Sequence, residues 1–198
     1  MSSAPRIGIF GGTFDPIHVG HLVAAVNVHH DLHLDRLLVV VANQPWQKEG
    51  GRPITPAEDR YAMVEAALGD RPGIEASRLE IDRGGPSFTA DTLGVVGEEY
   101  PGADLFTIVG ADVADMLTTW ERHEVVASRS TLVVVNRPGA VRTAPLPGWR
   151  IEEVEVPALE VSSTDLRRRA ADGRPLEYLV PDAVIRCIRA RNLYAGPG

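Results

Sequence analysis

Residues 7–21 read Ile-Gly-Ile-Phe-Gly-Gly-Thr-Phe-Asp-Pro-Ile-His-Val-Gly-His, and the fold is decided in this stretch. Ile7, Ile9 and Phe10 have the character of the end of a short buried strand. Gly11 and Gly12 allow a sharp turn, and Gly20 opens a run suited to a helix. A strand, a glycine turn and a helix start together make a site for anionic oxygens. The first helical turn carries unpaired N–H groups and about half a positive charge, and glycine lets the oxygens approach the backbone. His18 and His21 stand three residues apart beside that turn.

The same stretch excludes several chemistries. It lacks the G-x-G-x-x-G spacing of dinucleotide-binding domains and the G-x-x-x-x-G-K-[ST] of P-loops, so neither hydride transfer nor P-loop hydrolysis is favoured. A zinc reading of His18 and His21 is poor, because neither a nearby cysteine nor an H-E-x-x-H pattern accompanies them. GGTFDPIHVGH instead resembles the signature of the nucleotidyltransferase superfamily, in which the two histidines of H-x-G-H hold a nucleotide triphosphate.

Outward from this stretch, helix character covers residues 20–33, and Leu37 to Ala42 is a continuous apolar run of the kind found in parallel strands covered on both faces. Asn43 to Pro56 is rich in turn residues and leads to a helix starting near Pro56. Residues 74–82 alternate like an exposed strand, GGPSFTADT is a loop entering a helix, and DLFTIVG and STLVVVN are two more strands. This alternation predicts an α/β chain with a doubly wound, mostly parallel sheet, a single domain over residues 1–198, and a small C-terminal helical subregion at about 162–194. The Pro-rich segment 138–149 is expected to be a surface loop. In such a sheet ligands bind at the carboxyl ends of the strands, where the glycine turn, Asn43 to Lys48, Gly110 to Asp112 and Asn136 to Pro138 all fall.

Composition narrows the class. The chain has 198 residues, 44% hydrophobic, with a net charge of -7 and a pI near 5.4. That is enough apolar material for a full core, and the acidic balance argues against nucleic acid or an anionic membrane as partner. The single cysteine, Cys187, excludes an intramolecular disulfide and suits a reducing compartment. With no apolar leader and no apolar run long enough to span a bilayer, a cytoplasmic protein is expected. Near the C-terminus, Ser162 or Ser163 can cap a helix whose first turn offers N–H groups to a phosphate, with Thr164 and Arg167 on the same turn and the next.

Taken together, GGTFDPIHVGH, NQPWQK followed by EDRYAM, GGPSFTADTL, IVGAD with Trp120 after it, Asn136-Arg137-Pro138 and SSTDLR resemble the bacterial nicotinate-nucleotide adenylyltransferases. The first and last motifs are shared with the wider adenylyltransferase group, including phosphopantetheine adenylyltransferase, which is the alternative enzyme. A nucleotide-binding regulator without turnover is the alternative from another class. A class I aminoacyl-tRNA synthetase fragment shares the histidines, but K-M-S-K-S is absent.

The resemblance implies a Rossmann-like nucleotidyltransferase fold and adenylyl transfer from ATP to nicotinate mononucleotide in NAD biosynthesis. Mg²⁺ would be bound through the ATP phosphates, with no protein metal site. It implies that Gly11, Gly12, Thr13 and Phe14 cradle the nucleotide, that His18 and His21 contact its phosphates, and that Asp112 binds a ribose hydroxyl. Thr164 and Arg167 would hold the leaving pyrophosphate, Arg137 would lie on the nucleotide side, and Thr89 and Trp120 would form the nicotinate pocket, with Lys48 near the acceptor phosphate. His18, His21, Lys48 and Arg167 would then carry catalysis. The expected partners are the two substrates, without nucleic acid or membrane, and a homo-oligomer is compatible with the resemblance. Two departures stand out: Gln47 replaces a histidine common in the family, and Glu121 replaces an aromatic residue and is expected to face solvent.

Overall fold

The computed structural model describes residues 4–45, 53–114, 116–136 and 147–195. Six strands form one sheet: β1 (Arg6–Gly12), β2 (Arg36–Val41), β3 (Ile74–Ser77), β4 (Asp104–Gly110), β5 (Thr131–Asn136) and β6 (Ile151–Glu155). Their order is β3-β2-β1-β4-β5-β6 and every pairing is parallel. The order reverses between β1 and β4, which opens a crevice at the carboxyl ends of those two strands. The glycine turn follows β1 and Asp112 follows β4, so both lie at the reversal.

The helices of the described residues are α1 (Val19–Asp31), α2 (Ala57–Leu68), α3 (Leu79–Arg83), α4 (Thr89–Glu99), α5 (Ala111–Ala114), α6 (His123–Arg129), α7 (Ser163–Ala171) and α8 (Asp182–Ala190). Alternate strand residues feed two cores. Phe10, Val39, Phe106 and Val133 face α1, α2, α7 and α8, while Ile9, Val40 and Leu105 face α4 and α6. Continuous apolar strands are the consequence of this burial on both faces.

The structure differs from the sequence reading in two of these elements. Residues 74–82 are not one strand: β3 stops at Ser77 and α3 begins at Leu79. The Leu79-Glu80-Ile81-Asp82 alternation mimics a strand, but Glu80 turns inward and its carboxylate accepts a 2.5 Å hydrogen bond from Thr92 Oγ1 on α4. β6 was not expected, because Ile151-Glu-Glu-Val-Glu155 has no two-residue apolar period. It is an edge strand, and its exposed glutamates oppose pairing with another chain. The doubly wound, mostly parallel sheet expected from the sequence is present, with every pairing parallel.

The C-terminal helices are built into the principal core. Leu166, Leu176, Val184, Ile185 and Ile188 pack in the same cluster as Phe10, Val39 and Met63. No helix among the described residues is long and apolar enough to cross a membrane. Because Ile188 is 5% exposed within that cluster, Ile188→Ala should cost about 2–5 kcal/mol. It should do so within one urea transition, and a separate early melting of the C-terminal helices would contradict their integration.

Candidate active site

The loop after β1 is shaped by packing under it. Phe14 takes a left-handed backbone, φ 46°, and its buried ring meets Phe10 edge-on at 5.6 Å and His21 at 5.1 Å. A Cβ on Gly12 would lie 2.7 Å from the Phe14 ring, so only glycine fits there. A Cβ on Gly11 would meet nothing within 4 Å, and the strand end therefore presents bare backbone to open space. Gly11 and Gly12 belong to β1, and the unusual backbone angle expected of the glycines falls on Phe14.

His18 is the N-cap of α1 and is 7% exposed. Its backbone N–H donates to His21 Nδ1 at 3.3 Å, and the two rings stack with centroids 3.7 Å apart. His21 Nδ1 is thus an acceptor, which leaves the proton of the neutral ring on Nε2. His18 Nδ1 is buried with no hydrogen-bond partner and faces the first turn of α1, 3.1 Å from where a Cβ on Gly20 would lie. The positive end of the helix disfavours a proton at that nitrogen, which directs it to Nε2 here too. Burial pulls the His18 pKa down to about 4, so this imidazole is neutral at pH 7. The pair places two imidazoles, the buried one neutral, at the start of a helix, an arrangement suited to anionic oxygens.

The far end of the chain closes on the same loop. Ser162 caps α7 by accepting from the Asp165 N–H at 3.2 Å, while Ser163 Oγ donates to the Pro16 carbonyl at 2.8 Å. Arg167 donates from Nη1 to the Asp15 carbonyl at 2.7 Å and from Nη2 to Thr164 Oγ1 at 3.0 Å. Arg167 is therefore brought against the β1 loop, which it braces, with Thr164 bonded to its other nitrogen. Tyr194 O–H donates to Asp15 Oδ1 at 2.7 Å. Burial and the neighbouring Asp15 charge raise the phenol pKa above its usual value.

On the other side of the reversal, Asp112 is exposed at the end of β4, and its Oδ1 lies 2.7 Å from where a Cβ on Gly110 would stand. Gly110 is what permits that placement. Thr89 opens α4 and is half-buried, and Trp120 is half-buried against Leu117 and Val109 of a third core cluster. The approach to α4 is zipped to the segment after β2: the Asn43 N–H donates to Ser87 Oγ (2.8 Å), Asn43 Nδ2 to the Gly85 carbonyl (2.9 Å) and the Ser87 N–H to the Gln44 carbonyl (3.0 Å). Arg122 Nη1 bonds Asp91 of the first turn of α4 at 2.7 Å, tying the segment after Trp120 to that helix and holding the Asp91 carboxyl below its usual pKa. Glu121 is exposed, as expected. Lys48, Trp46, Gln47 and Arg137 lie outside the described residues.

Sequence reasoning missed Arg60, Asp15 and Tyr194, which support the loop from beneath. For Arg60 a signal existed: it shares the buried face of α2 with Met63, Val64 and Leu68, at helical spacing. For Tyr194 none did, since its partner is 179 residues away.

An all-parallel sheet whose reversal carries a glycine strand end, paired histidine donors and a capped arginine helix defines a nucleotide-handling α/β transferase. The cytidylyltransferase-like family model matches residues 9–169. A protein of Corynebacterium kroppenstedtii named "probable nicotinate-nucleotide adenylyltransferase" is 49% identical over 198 residues, 98% of this chain and 93% of the relative. One of the same name from Streptomyces coelicolor is 49% identical over 187 residues, 94% of this chain and 99% of the relative. Among solved structures, Plasmodium falciparum nicotinic acid mononucleotide adenylyltransferase complexed with NaAD is similar in fold, with a TM-score of 0.79 at 19% identity, covering 96% of this chain and 97% of that one. The chain belongs to the cytidylyltransferase-like family, in its nicotinate-nucleotide adenylyltransferase branch.

The His18 environment has a consequence for stability. The unfolded chain takes up a proton on this ring below about pH 6.5 and the folded protein only near pH 4. The contribution is fully present above 6.5 and is lost as pH falls toward 4, by about 2 kcal/mol at pH 5. His18→Asn should flatten the stability difference between pH 7 and pH 5, measured by urea unfolding, by about that amount. Parallel curves for variant and wild type would contradict the buried neutral ring.

Proposed function

We propose that the protein transfers the adenylyl group of ATP to the phosphate of nicotinate mononucleotide, giving nicotinate adenine dinucleotide and pyrophosphate, a step of NAD biosynthesis, with the whole chain acting as one cytoplasmic nucleotidyltransferase domain. The observation that carries this reading is the stacked histidine pair and the bare glycine strand end at the β1/β4 reversal, in a chain 49% identical to relatives named for that activity.

The acceptor phosphate has a second pKa of about 6 and is largely dianionic at neutral pH. One of its oxygens attacks the α-phosphorus of ATP, a new P–O bond forms, and the bond to the β-phosphate oxygen breaks as pyrophosphate leaves with the electron pair. No protein nucleophile and no strong base is required. The task is in-line positioning and stabilisation of charge on equatorial and leaving oxygens. His18 and His21 would supply Nε2–H donors to the triphosphate, Gly11, Gly12, Thr13 and Phe14 the backbone around it, and Asp112 an acceptor for a ribose hydroxyl. Thr164 and Arg167 would receive the pyrophosphate, Lys48 and Arg137 would add charge on the acceptor and nucleotide sides, and Thr89 and Trp120 would form the pyridine pocket.

No group of three or more His, Cys, Asp or Glu side chains among the described residues is arranged for a metal. Mg²⁺ would enter with the ATP phosphates and would supply charge neutralisation there.

Pyrophosphate release with ATP and Mg²⁺ should be fastest with nicotinate mononucleotide, slower with nicotinamide mononucleotide and absent with phosphopantetheine. Release with phosphopantetheine alone would move the assignment to the alternative acceptor, and no release with any acceptor would favour the regulator. His18→Ala and His21→Ala should each lower kcat about 10²- to 10³-fold with the fold retained, which circular dichroism beside turnover can check. Stacking of the pyridinium on Trp120 predicts that Trp120→Ala raises the acceptor KM about 10-fold and leaves the ATP KM alone. An unchanged acceptor KM would remove Trp120 from the pocket.

A further inference from the structure

Arg60 is a charged side chain that is 1% exposed, at the start of a helix that contributes no residue to the site described above. Its guanidinium is spent on three backbone carbonyls from three segments. Nε donates to Thr55 at 2.8 Å, Nη1 to Thr13 at 2.9 Å and Nη2 to Asn43 at 3.0 Å. Thr13 lies in the loop after β1, Asn43 in the segment after β2, and Thr55 just ahead of α2. Asn43 is in turn bonded to Ser87 and Gly85, and Ser87 to Gln44, directly before α4. One unbroken line of hydrogen bonds thus runs from the GGTF loop through Arg60 to the N-terminus of α4.

The choice of residue is informative. A buried guanidinium is costly, and a well-packed apolar side chain commonly does as well or better for stability. The buried Asp15, 2% exposed, supplies the balancing charge and is held by Tyr194. What an apolar residue cannot do is bond three carbonyls that diverge from three chain segments. Lysine, with one compact ammonium, cannot span them either, whereas the planar five-donor fork of arginine can.

We propose that Arg60 is a positioning residue for adenylyl transfer: by clamping the Thr13 and Asn43 carbonyls it fixes the loop that receives ATP relative to the segment that shapes the acceptor pocket, so that donor and acceptor phosphates meet at reacting distance. This rests on the assignment of ATP to the β1 loop and of nicotinate mononucleotide to the Thr89 and Trp120 side. Each half-site keeps its own support without the clamp. The β1 loop is held by Ser163 and Arg167, and the α4 end by Arg122 on Asp91. Loss of the clamp should therefore harm the ternary alignment more than either binding event, and a misplacement on the order of 1 Å can cost about 100-fold in rate.

The test uses the full chain with Arg60→Lys and Ser87→Ala, each assayed for amide hydrogen exchange without ligand, for separate equilibrium binding of ATP and of nicotinate mononucleotide, and for turnover. Arg60→Lys should speed exchange in residues 11–14 and 42–45 together, keep each separate Kd within about 3-fold and lower kcat about 100-fold. Ser87→Ala removes one of the three hydrogen bonds of the line beyond Arg60, so it should speed exchange at 42–45 and 85–89 but not at 11–14, and raise the acceptor KM with the ATP KM unchanged. A folded Arg60→Lys protein with near-wild-type kcat would overturn the proposal, and so would a rate loss matched by loss of separate binding, which marks a merely structural role. If Arg60→Lys does not fold, an unchanged acceptor KM in Ser87→Ala overturns it. Absence of wild-type turnover with nicotinate mononucleotide, alongside coupled exchange in Arg60→Lys, would discard the acceptor assignment and retain the clamp.

Discussion

The loop between β1 and α1 has almost no freedom, because three distant parts of the chain hold its polar backbone. Arg60 takes the Thr13 carbonyl, Arg167 the Asp15 carbonyl and Ser163 the Pro16 carbonyl, while Tyr194 anchors the Asp15 carboxylate. A loop at the mouth of a crevice carries carbonyls that must find partners, and here those partners are supplied by α2 and α7, while the segment after α8 holds the Asp15 side chain. The β1 loop therefore takes its shape from contacts with α2 and with the C-terminal part of the chain. This explains why the C-terminal helices share the main core and do not stand apart.

The electrostatics of the histidine pair follow from the same packing. His18 is buried beneath Gly20, stacked on His21, and kept neutral by desolvation. Neutral N–H donors are well matched to a reaction in which the acceptor is already dianionic and charge moves only from one set of phosphate oxygens to another. A fixed, dry donor needs no reorganisation during the reaction, and this is where such groups gain their advantage over water. The positive charge beside the loop is carried by Arg167, a guanidinium that stays protonated at neutral pH.

The far side of the crevice is built on a different plan. Its elements are tied to one another by short polar contacts, Asn43 to Ser87 and Arg122 to Asp91, while the Asp112 carboxylate folds over Gly110. Trp120 gives one face to the core beside Leu117 and leaves the rest half-exposed. A core contact of this kind holds the ring in place while leaving part of it accessible.

How far the sequence spoke depends on the range of the interaction. The doubly wound sheet was legible because strands buried on both faces must be continuously apolar, and Leu37 to Val41 and Leu132 to Val135 are such runs. The histidine pair, the glycine strand end and the serine-capped α7 were legible because each is a local pattern with a local cause. The short helix α3 and the edge strand β6 were not, since Glu80 is drawn inward by Thr92 and β6 exists only because β5 offers it an edge. Nor could any local pattern say that Arg60, in a helix that reads as amphipathic, would join Thr13 to Asn43, or that Tyr194 would reach Asp15. Sequence alone determined the chemistry available to this protein, because residue type and short spacing set donors, caps and turns. Tertiary structure decided which distant residues hold those donors in register, because a buried carbonyl takes its partner from whatever segment the packed core brings within reach.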